Sequence, residues 1–186
     1  MSPLESVVEN EKLTAREIEV LRAVGSFNYK GRHDEVCKRL KMGKDTIKNH
    51  LRRIHEKLGV HETPTAVYFG LENGFLRLED LVDDVEVLKK SLSAVTNAER
   101  ELLEVISVYA NKYGMCDDKS LARGMNLELQ TIKNRKINLR SKTGTSNSTQ
   151  LAVVAYAYVK FKSEIPEYTR FKPRLKLEIP DVYIKI

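Results

Sequence analysis

Apolar residues recur along most of the chain at spacings of three and four positions, which is the period of an amphipathic α-helix. The clearest example lies at 47–58, where four apolar residues mark one stripe on an otherwise polar segment. Strict alternation of apolar and polar residues occurs at 174–179 and 182–186 and predicts two short strands. The chain is therefore predicted to be all-α, with a short C-terminal tail that forms strands.

The helical pattern occurs twice in the sequence. LTAREIEVL at 13–21 matches VTNAERELL at 95–103, and TIKNHLRRIHEKLG at 46–59 matches TIKNRKINLRSKTG at 131–144. The offset is 82 residues in the first pair and 85 in the second, a small change that loop insertions between retained helices would produce. The predicted organisation is an N-terminal tail at 1–12, a first unit at 13–76, a linker at 77–94, a second unit at 95–162 and a C-terminal tail at 163–186.

Each unit is predicted to contain four helices. The first helix of each begins at a capping box, Thr14-x-x-Glu17 or Thr96-x-x-Glu99, in which the glutamate can accept a hydrogen bond from the cap amide. The second helices are expected at about 32–40 and 117–125, the third helices after short turns, and the fourth helices from Thr63-Pro64 and from Ser148 or Thr149.

The linker between the units has apolar residues at helical spacing and is predicted to be one amphipathic helix over 77–94. It carries three basic and five acidic residues, against 12 basic and eight acidic in the first unit and 11 basic and six acidic in the second. Positive charge is therefore concentrated in the repeats of a 186-residue chain with a net charge of +6. Such a balance favours polyanions as partners.

Composition argues against several other classes of protein. The chain has no tryptophan, nine glycines and five prolines, too few turn residues for an all-β sandwich or barrel. Its longest apolar run has nine residues, at 151–159, whereas a membrane-spanning helix needs about 20. The two cysteines, Cys37 and Cys116, form no C-x-x-C pair and favour a reducing cytoplasm.

The third helix of each unit carries the candidate chemistry. The first has six basic residues between 41 and 57, and the second has five between 130 and 142 with no acidic residue. Lysine and arginine neutralise phosphates, and together with asparagine and glutamine they read base edges in the major groove. A basic helix face is often only solvated surface, but two copies in the same three-helix frame favour a nucleic-acid-binding helix-turn-helix.

Each unit resembles the LuxR/GerE-type DNA-binding domain of bacterial transcription regulators. In the first unit the resemblance rests on Leu13-Thr14-x-Arg16-Glu17-x-Glu19-Val20-Leu21, on Thr46-Ile47-Lys48-Asn49-His50-x-x-x-Ile54-x-x-Lys57-Leu58-Gly59-Val60, and on Ala66-Val67 and Gly74. The second unit keeps Thr96-x-x-Glu99-x-Glu101-x-Leu103 and Thr131-Ile132-Lys133-Asn134-x-x-x-x-Leu139-x-x-Lys142-x-Gly144. The resemblance implies two tandem four-helix domains, with helix three in the major groove and helix four often used for dimerisation.

The resemblance also implies which residues would contact DNA. In the first unit the base-reading positions are Lys48, Asn49 and Arg52, the positions nearer phosphates are Thr46, His50 and Lys57, and Lys44 and Arg53 add positive charge to the same helix. The equivalents in the second unit are Lys133, Asn134 and Ile137 at the bases and Thr131, Arg135 and Lys142 at the backbone.

The second unit departs from this pattern at its third helix. Ile137 stands where the first unit has Arg52, so the second unit would read fewer bases. Lys136 and Thr143 occupy inward positions, so the core of this unit is less well specified. The loop between helices one and two is longer than usual in both units, and the candidates for phosphate contacts there are Tyr29, Lys30, Arg32, Lys112 and Lys119.

These features predict a sequence-specific transcription regulator that binds double-stranded DNA through two units paired within one chain. The alternative is a protein-interaction adaptor that docks on RNA polymerase or a sigma factor, with reduced or no DNA binding. A homodimer formed through the linker helix, the fourth helices or the C-terminal tail also stays open. The predicted location is the cytoplasm, in association with the nucleoid.

No enzymatic activity and no cofactor are predicted. The sequence contains no nucleophile signature and no glycine-rich phosphate loop. His33 and Cys37 are spaced to share a helix face, but Cys37 is expected to point inward, so we predict no metal site.

Overall fold

The structure, a computed structural model, describes residues 13–29, 33–114 and 116–165. Within these ranges the chain forms helices and no strand, which confirms the all-α prediction for this part of the protein. The α-helices are α1 (Ala15–Gly25), α2 (His33–Leu40), α3 (Lys44–Leu58), α4 (Thr63–Glu72), α5 (Val85–Ser93), α6 (Asn97–Tyr113), α7 (Asp118–Gly124), α8 (Leu129–Thr143) and α9 (Ser148–Phe161). Short 3-10 turns occupy Phe27–Tyr29, Leu78–Asp80 and Lys162–Glu164. The N-terminal tail at 1–12 and the strands predicted within 174–186 lie outside the described residues.

Both predicted capping boxes form. At α1 the Glu17 amide donates to the Thr14 hydroxyl at 3.2 Å, and the Thr14 amide donates to the Glu17 carboxylate at 2.7 Å. At α6 the Glu99 carboxylate accepts from the Thr96 amide at 2.8 Å and from the Thr96 hydroxyl at 2.7 Å. Each glutamate therefore satisfies the backbone amide of the cap residue at the start of its helix.

The turns that lead into and out of α3 and α8 have the same backbone form. Lys41 and Asn126 adopt left-handed conformations with φ of 52° and 50°, and the amide after each donates back to a carbonyl of α2 or α7. Gly59 caps the C-terminus of α3 and Gly144 that of α8, with φ of 62° and 68°, a conformation that glycine adopts without strain. The same backbone conformations thus precede and follow both α3 and α8.

The packing of α4 against α9 forms the centre of the molecule and is the most extensive contact between any two helices. Residues 65–71 of α4 are all buried, because α1, α3, α6 and α9 surround this helix. A helix that is apolar on all sides is stable only where its neighbours cover every face. The position of α4 therefore depends on helices from both halves of the chain.

Tyr68 lies at the middle of this packing. Its hydroxyl forms a hydrogen bond with the Ser107 hydroxyl of α6, and its ring meets that of Tyr156 on α9 edge to face, with 5.8 Å between centroids. Burial raises the pKa of Tyr68 to about 12, so the phenol stays neutral and keeps its hydrogen bond at physiological pH.

The prediction of one continuous linker helix over 77–94 is wrong. The Leu81 carbonyl accepts from the Phe27 amide at 2.8 Å, and the Asp84 carboxylate caps a new helix, α5, by accepting from the Glu86 and Val87 amides at 2.8 and 3.1 Å. The linker therefore consists of a 3-10 turn followed by a nine-residue helix. Its apolar stripe is nevertheless largely buried as expected, at Leu78, Leu81, Val82, Leu88 and Leu92.

We expect Tyr68→Ala to lower the free energy of unfolding by roughly 3–5 kcal/mol, because truncating a buried aromatic ring leaves a cavity. The conservative change Tyr68→Phe removes only the hydroxyl and should cost about 1 kcal/mol. Urea unfolding followed by circular dichroism measures both values. A loss below about 1 kcal/mol for Tyr68→Ala would contradict the central role of the α4–α9 packing.

Candidate nucleic-acid interface

α3 presents one continuous exposed stripe. The four residues that face the core are Ile47, Leu51, Ile54 and Leu58, all buried as predicted. The side chains exposed along the opposite face, at spacings of three and four, are Asp45, Lys48, Asn49, Arg52, Arg53 and Glu56. We call this set the α3 stripe. It contains exposed ammonium, amide and guanidinium donors, which suit contact with base edges and phosphates.

Three exposed cations of α3 pair with acidic residues that are themselves exposed. Lys44 lies 2.8 Å from Asp34, Lys48 3.6 Å from Asp45, and Arg52 2.6 Å from Glu56. The hydrogen bond to Asp34 raises the pKa of Lys44, so this side chain stays charged. Exposed ion pairs contribute at most about 1 kcal/mol. These side chains can therefore exchange their carboxylate partners for phosphate oxygens.

Three predicted phosphate contacts of α3 have different surroundings. Thr46 is exposed. His50 is half-buried, and its Nδ1 has no hydrogen-bond partner among the residues that the structure describes. The Lys57 ammonium lies 3.0 Å from the Glu17 carboxylate, which is 3% exposed. Through this ion pair, Lys57 links α3 to the start of α1.

The predicted DNA-contact residues of α8 also include both exposed side chains and side chains that contact other helices. Lys133, Asn134 and Ile137 are exposed, and Asn134 accepts a hydrogen bond from Gln130 at 3.0 Å. Thr131 is half-buried. Two of the positions predicted at the DNA backbone contact α6: the half-buried Arg135 donates to the Ala98 carbonyl at 3.2 Å, and Lys142, which is exposed, donates to the Glu99 carboxylate at 2.7 Å.

Glu17 and Glu99 hold equivalent places in the two halves. Burial alone would raise the pKa of each carboxyl, but hydrogen bonds from the backbone and side chain of the cap threonine and from the paired lysine outweigh it. The pKa of both residues is therefore below its ordinary value of 4.5. Each glutamate thus joins the cap of one helix to the lysine near the end of another.

Sequence reasoning missed this role for Lys57 and Lys142. A signal was present, because both members of the pair recur, with a separation of 40 residues between Glu17 and Lys57 and 43 between Glu99 and Lys142. The resemblance alone directed attention to the lysines as phosphate ligands, and an ion pair between distant helices has no local sequence pattern.

The polar residues at inward positions of α8 are satisfied. Lys136 is buried, lies 2.6 Å from the Asp118 carboxylate and donates to the Cys116 carbonyl at 3.4 Å. The Thr143 hydroxyl donates to the Leu139 carbonyl at 2.7 Å. Hydrogen bonds of this kind offset the cost of burying polar groups. The two side chains take the place of the leucines at the equivalent positions of α3, Leu51 and Leu58.

Some other predicted residues have known positions and some do not. Lys112 and Lys119 are exposed, whereas Lys30, Arg32 and the side chain of Tyr29 lie outside the described residues. The side chain of His33 is also outside them, and Cys37 is half-buried. In the described ranges no group of three or more potential metal ligands occurs, and no helix is long and apolar enough to cross a membrane.

Comparison with known proteins shows the family of the segment that contains the first helices. Residues 11–69 match the family model GerE, described as bacterial regulatory proteins of the luxR family. This segment contains α1 to α3 and most of α4, and it is a helix-turn-helix domain of that family, whose members are DNA-binding regulators. The match does not extend to α5–α9. No curated protein and no solved structure gives a significant match to the chain.

The depressed pKa values of Glu17 and Glu99 predict a pH dependence of stability. Because each carboxyl binds its proton less readily in the folded chain, its stabilisation is present above about pH 4.5 and is lost as the pH falls through the folded-state pKa. Replacing both residues by glutamine should lower the free energy of unfolding at pH 7 by about 1–3 kcal/mol per site. The double replacement should also reduce the loss in free energy of unfolding as the pH falls below 4.5.

Urea unfolding between pH 7 and pH 3 measures this dependence. Glu72→Gln, at an exposed position of α4, is the matched control. In this variant the free energy of unfolding should fall with decreasing pH as steeply as in the wild type. Equal slopes for the wild type and the Glu17→Gln/Glu99→Gln variant would contradict the role of the two pairs.

Proposed function

We propose that the chain is a sequence-specific, double-stranded-DNA-binding transcription regulator, in which two helix-turn-helix units pair within one polypeptide. The observation that carries this proposal is the α3 stripe, which presents Lys48, Asn49 and Arg52 outward from a domain that matches the GerE family. A regulator of this kind is not an enzyme, needs no cofactor for DNA binding and acts at the nucleoid in the cytoplasm.

α3 would lie in the major groove as the recognition helix. Arg52 and Lys48 are suited to the guanine acceptors O6 and N7, and Asn49 to adenine N6 and N7. Lys44, Thr46 and Arg53 flank these residues and would contact phosphates, with His50 at the edge of the stripe. Lys57 contributes indirectly, because its ion pair with Glu17 holds α3 against α1.

The contacts between the two halves of the chain support an internal pair. Near the start of α4, the Thr65 hydroxyl lies 3.5 Å from the Cys116 thiol, which follows α6. Near the start of α9, Gln150 donates to the carbonyl of Ser26, which follows α1, at 2.9 Å. α4 correspondingly packs on α6, and α9 on α1. The exchange of whole helices, with α4 on α6 and α9 on α1, is the pattern expected of an isologous two-fold interface.

The helices α6–α9 would form the second unit, with α8 as its recognition helix. Its base-reading residues are Lys133, Asn134 and Ile137, and Thr131 lies beside them. Arg135 and Lys142 hold α8 in place through their contacts with α6 and its cap. Covalent linkage raises the effective concentration of this unit at DNA, so even a weak second contact adds affinity.

This pairing also bears on assembly of whole chains. The fourth helices of the two units, α4 and α9, already cover each other, so a homodimer through them would require the internal pair to separate. We therefore propose that one chain supplies both halves of the DNA-binding unit. α5, with Val87 62% exposed, is the remaining described candidate for contact with a second chain.

An adaptor that docks on RNA polymerase or a sigma factor is the second candidate. The observation that favours it is the exposed face of α8, where an apolar side chain, Ile137, is 59% exposed at the position that Arg52 holds in α3.

The dependence of DNA affinity on salt concentration distinguishes the two functions. If several phosphates are contacted, the logarithm of the affinity falls linearly with the logarithm of the salt concentration, with a slope of about −0.9 for each phosphate. An adaptor would bind DNA weakly and without sequence preference.

Replacing Lys48, Asn49 or Arg52 singly by alanine should weaken binding to the preferred duplex by roughly 5- to 150-fold, since each change removes about 1–3 kcal/mol of base contacts. Fluorescence anisotropy at fixed salt measures the dissociation constants. Lys90→Ala on α5 is a charge-matched control and Glu72→Ala on α4 a second one. If the controls lose as much affinity as the α3 variants, α3 is not the recognition helix.

Footprinting tests the internal pair. One chain should protect two half-sites whose centres lie about one DNA turn, ~34 Å, apart. Lys48→Ala should weaken protection mainly in one half-site and Lys133→Ala mainly in the other. Protection of a single half-turn by the intact monomeric chain would argue against two DNA-binding units.

A further inference from the structure

α3 and α8 are comparable position by position. Both have 15 residues and end at a left-handed glycine, and an offset of 85 residues relates them throughout. The core anchors Ile47 and Ile54 of α3 correspond to Ile132 and Leu139 of α8, and all four are fully buried. The same positions of α3 and α8 therefore face the core, and equivalent side chains face outward.

Six exposed side chains of α8 occupy the positions equivalent to the α3 stripe, and we call this set the α8 stripe; it differs from the α3 stripe in chemistry. In order, its members are Gln130, Lys133, Asn134, Ile137, Asn138 and Ser141. The α3 stripe has three cations and two carboxylates, whereas the α8 stripe has three amides, one cation, one hydroxyl and one apolar side chain. The largest change is at Ile137, which takes the place of Arg52.

Ile137 is 59% exposed and has polar neighbours one helical turn away on both sides, Lys133 and Ser141. An apolar side chain in this setting contributes little to the core. Ile132 and Leu139 already fill the inward positions of the helix. The exposure of Ile137 is therefore better explained by contact with a ligand than by folding.

The chemistry of the α8 stripe matches one kind of base pair. Asparagine and glutamine pair with adenine at N6 and N7, apolar side chains contact the 5-methyl group of thymine, and arginine prefers guanine. We propose that α8 reads an A·T half-site in which Ile137 contacts a thymine methyl, whereas the half-site under α3 has guanine where Arg52 reads it. This inference rests on the proposed function and adds to it the base preference of each half-site.

Removing the methyl group alone tests the contact. A preferred duplex is first selected by the full chain from randomised double-stranded DNA, and each thymine is then replaced singly by deoxyuridine. Burying one methyl group against an apolar side chain changes affinity by roughly fourfold. We expect the replacement of one thymine, in the half-site protected by α8, to lower the affinity of the chain for the duplex about three- to fivefold.

A double-mutant comparison assigns that loss to Ile137. In Ile137→Ala the same thymine-to-uracil change should have almost no effect, whereas in Arg52→Ala it should retain its full effect. Ile137→Arg should shift the selected base at this position towards guanine and make the two half-sites more alike. Because Ile137 is exposed, these variants should keep the urea midpoint of the wild type, which serves as the control for folding.

Two outcomes would overturn the inference while leaving the proposed function intact. One is an equal uracil effect in the wild type and in Ile137→Ala. The other is a selected half-site under α8 without A·T preference, with Lys48→Ala still weakening binding. If Ile137→Ala leaves DNA binding unchanged and abolishes binding to purified RNA polymerase, the side chain docks on protein. Failure of the wild type to select any duplex would instead defeat the proposed function itself.

Discussion

The mutual burial of α4 and α9 is the constraint on which the rest of the structure depends. Each helix is apolar around most of its circumference, and exposed apolar surface costs about 25 cal/mol per Å². Neither half of the chain completes its core alone. Since α3 packs on α4 and α8 packs on α9, this buried contact also fixes how the two polar stripes stand relative to each other.

Electrostatics complements this packing at the edge of each half. The Glu17–Lys57 and Glu99–Lys142 pairs join the start of one helix to the end of another, with each carboxylate almost buried. These contacts hold α3 against the start of α1 and α8 against the start of α6. The cations on the outer faces can then exchange their weak surface partners for a ligand without disturbing these contacts.

Helical periodicity was sufficient to predict the third helices, their buried residues and the capping boxes, because these features depend on neighbours three or four positions apart. It failed at the linker, where the buried positions were right and the continuous helix was wrong. The break comes from the distant Phe27 amide and from Asp84 acting as a cap. The contacts of Lys57, Lys142 and Arg135 with Glu17, Glu99 and Ala98 were not predicted for the same reason, since these partners lie 37 to 43 residues away.

The single-chain arrangement of the two stripes has an evolutionary consequence. In a homodimer one gene encodes both halves, so every substitution in a recognition helix appears twice and the preferred operator stays palindromic. Here a point mutation alters one helix and leaves the other unchanged. Under the proposed function, the two half-sites would be free to diverge in separate steps, each compatible with the existing core, and the chain could follow an operator that loses its symmetry.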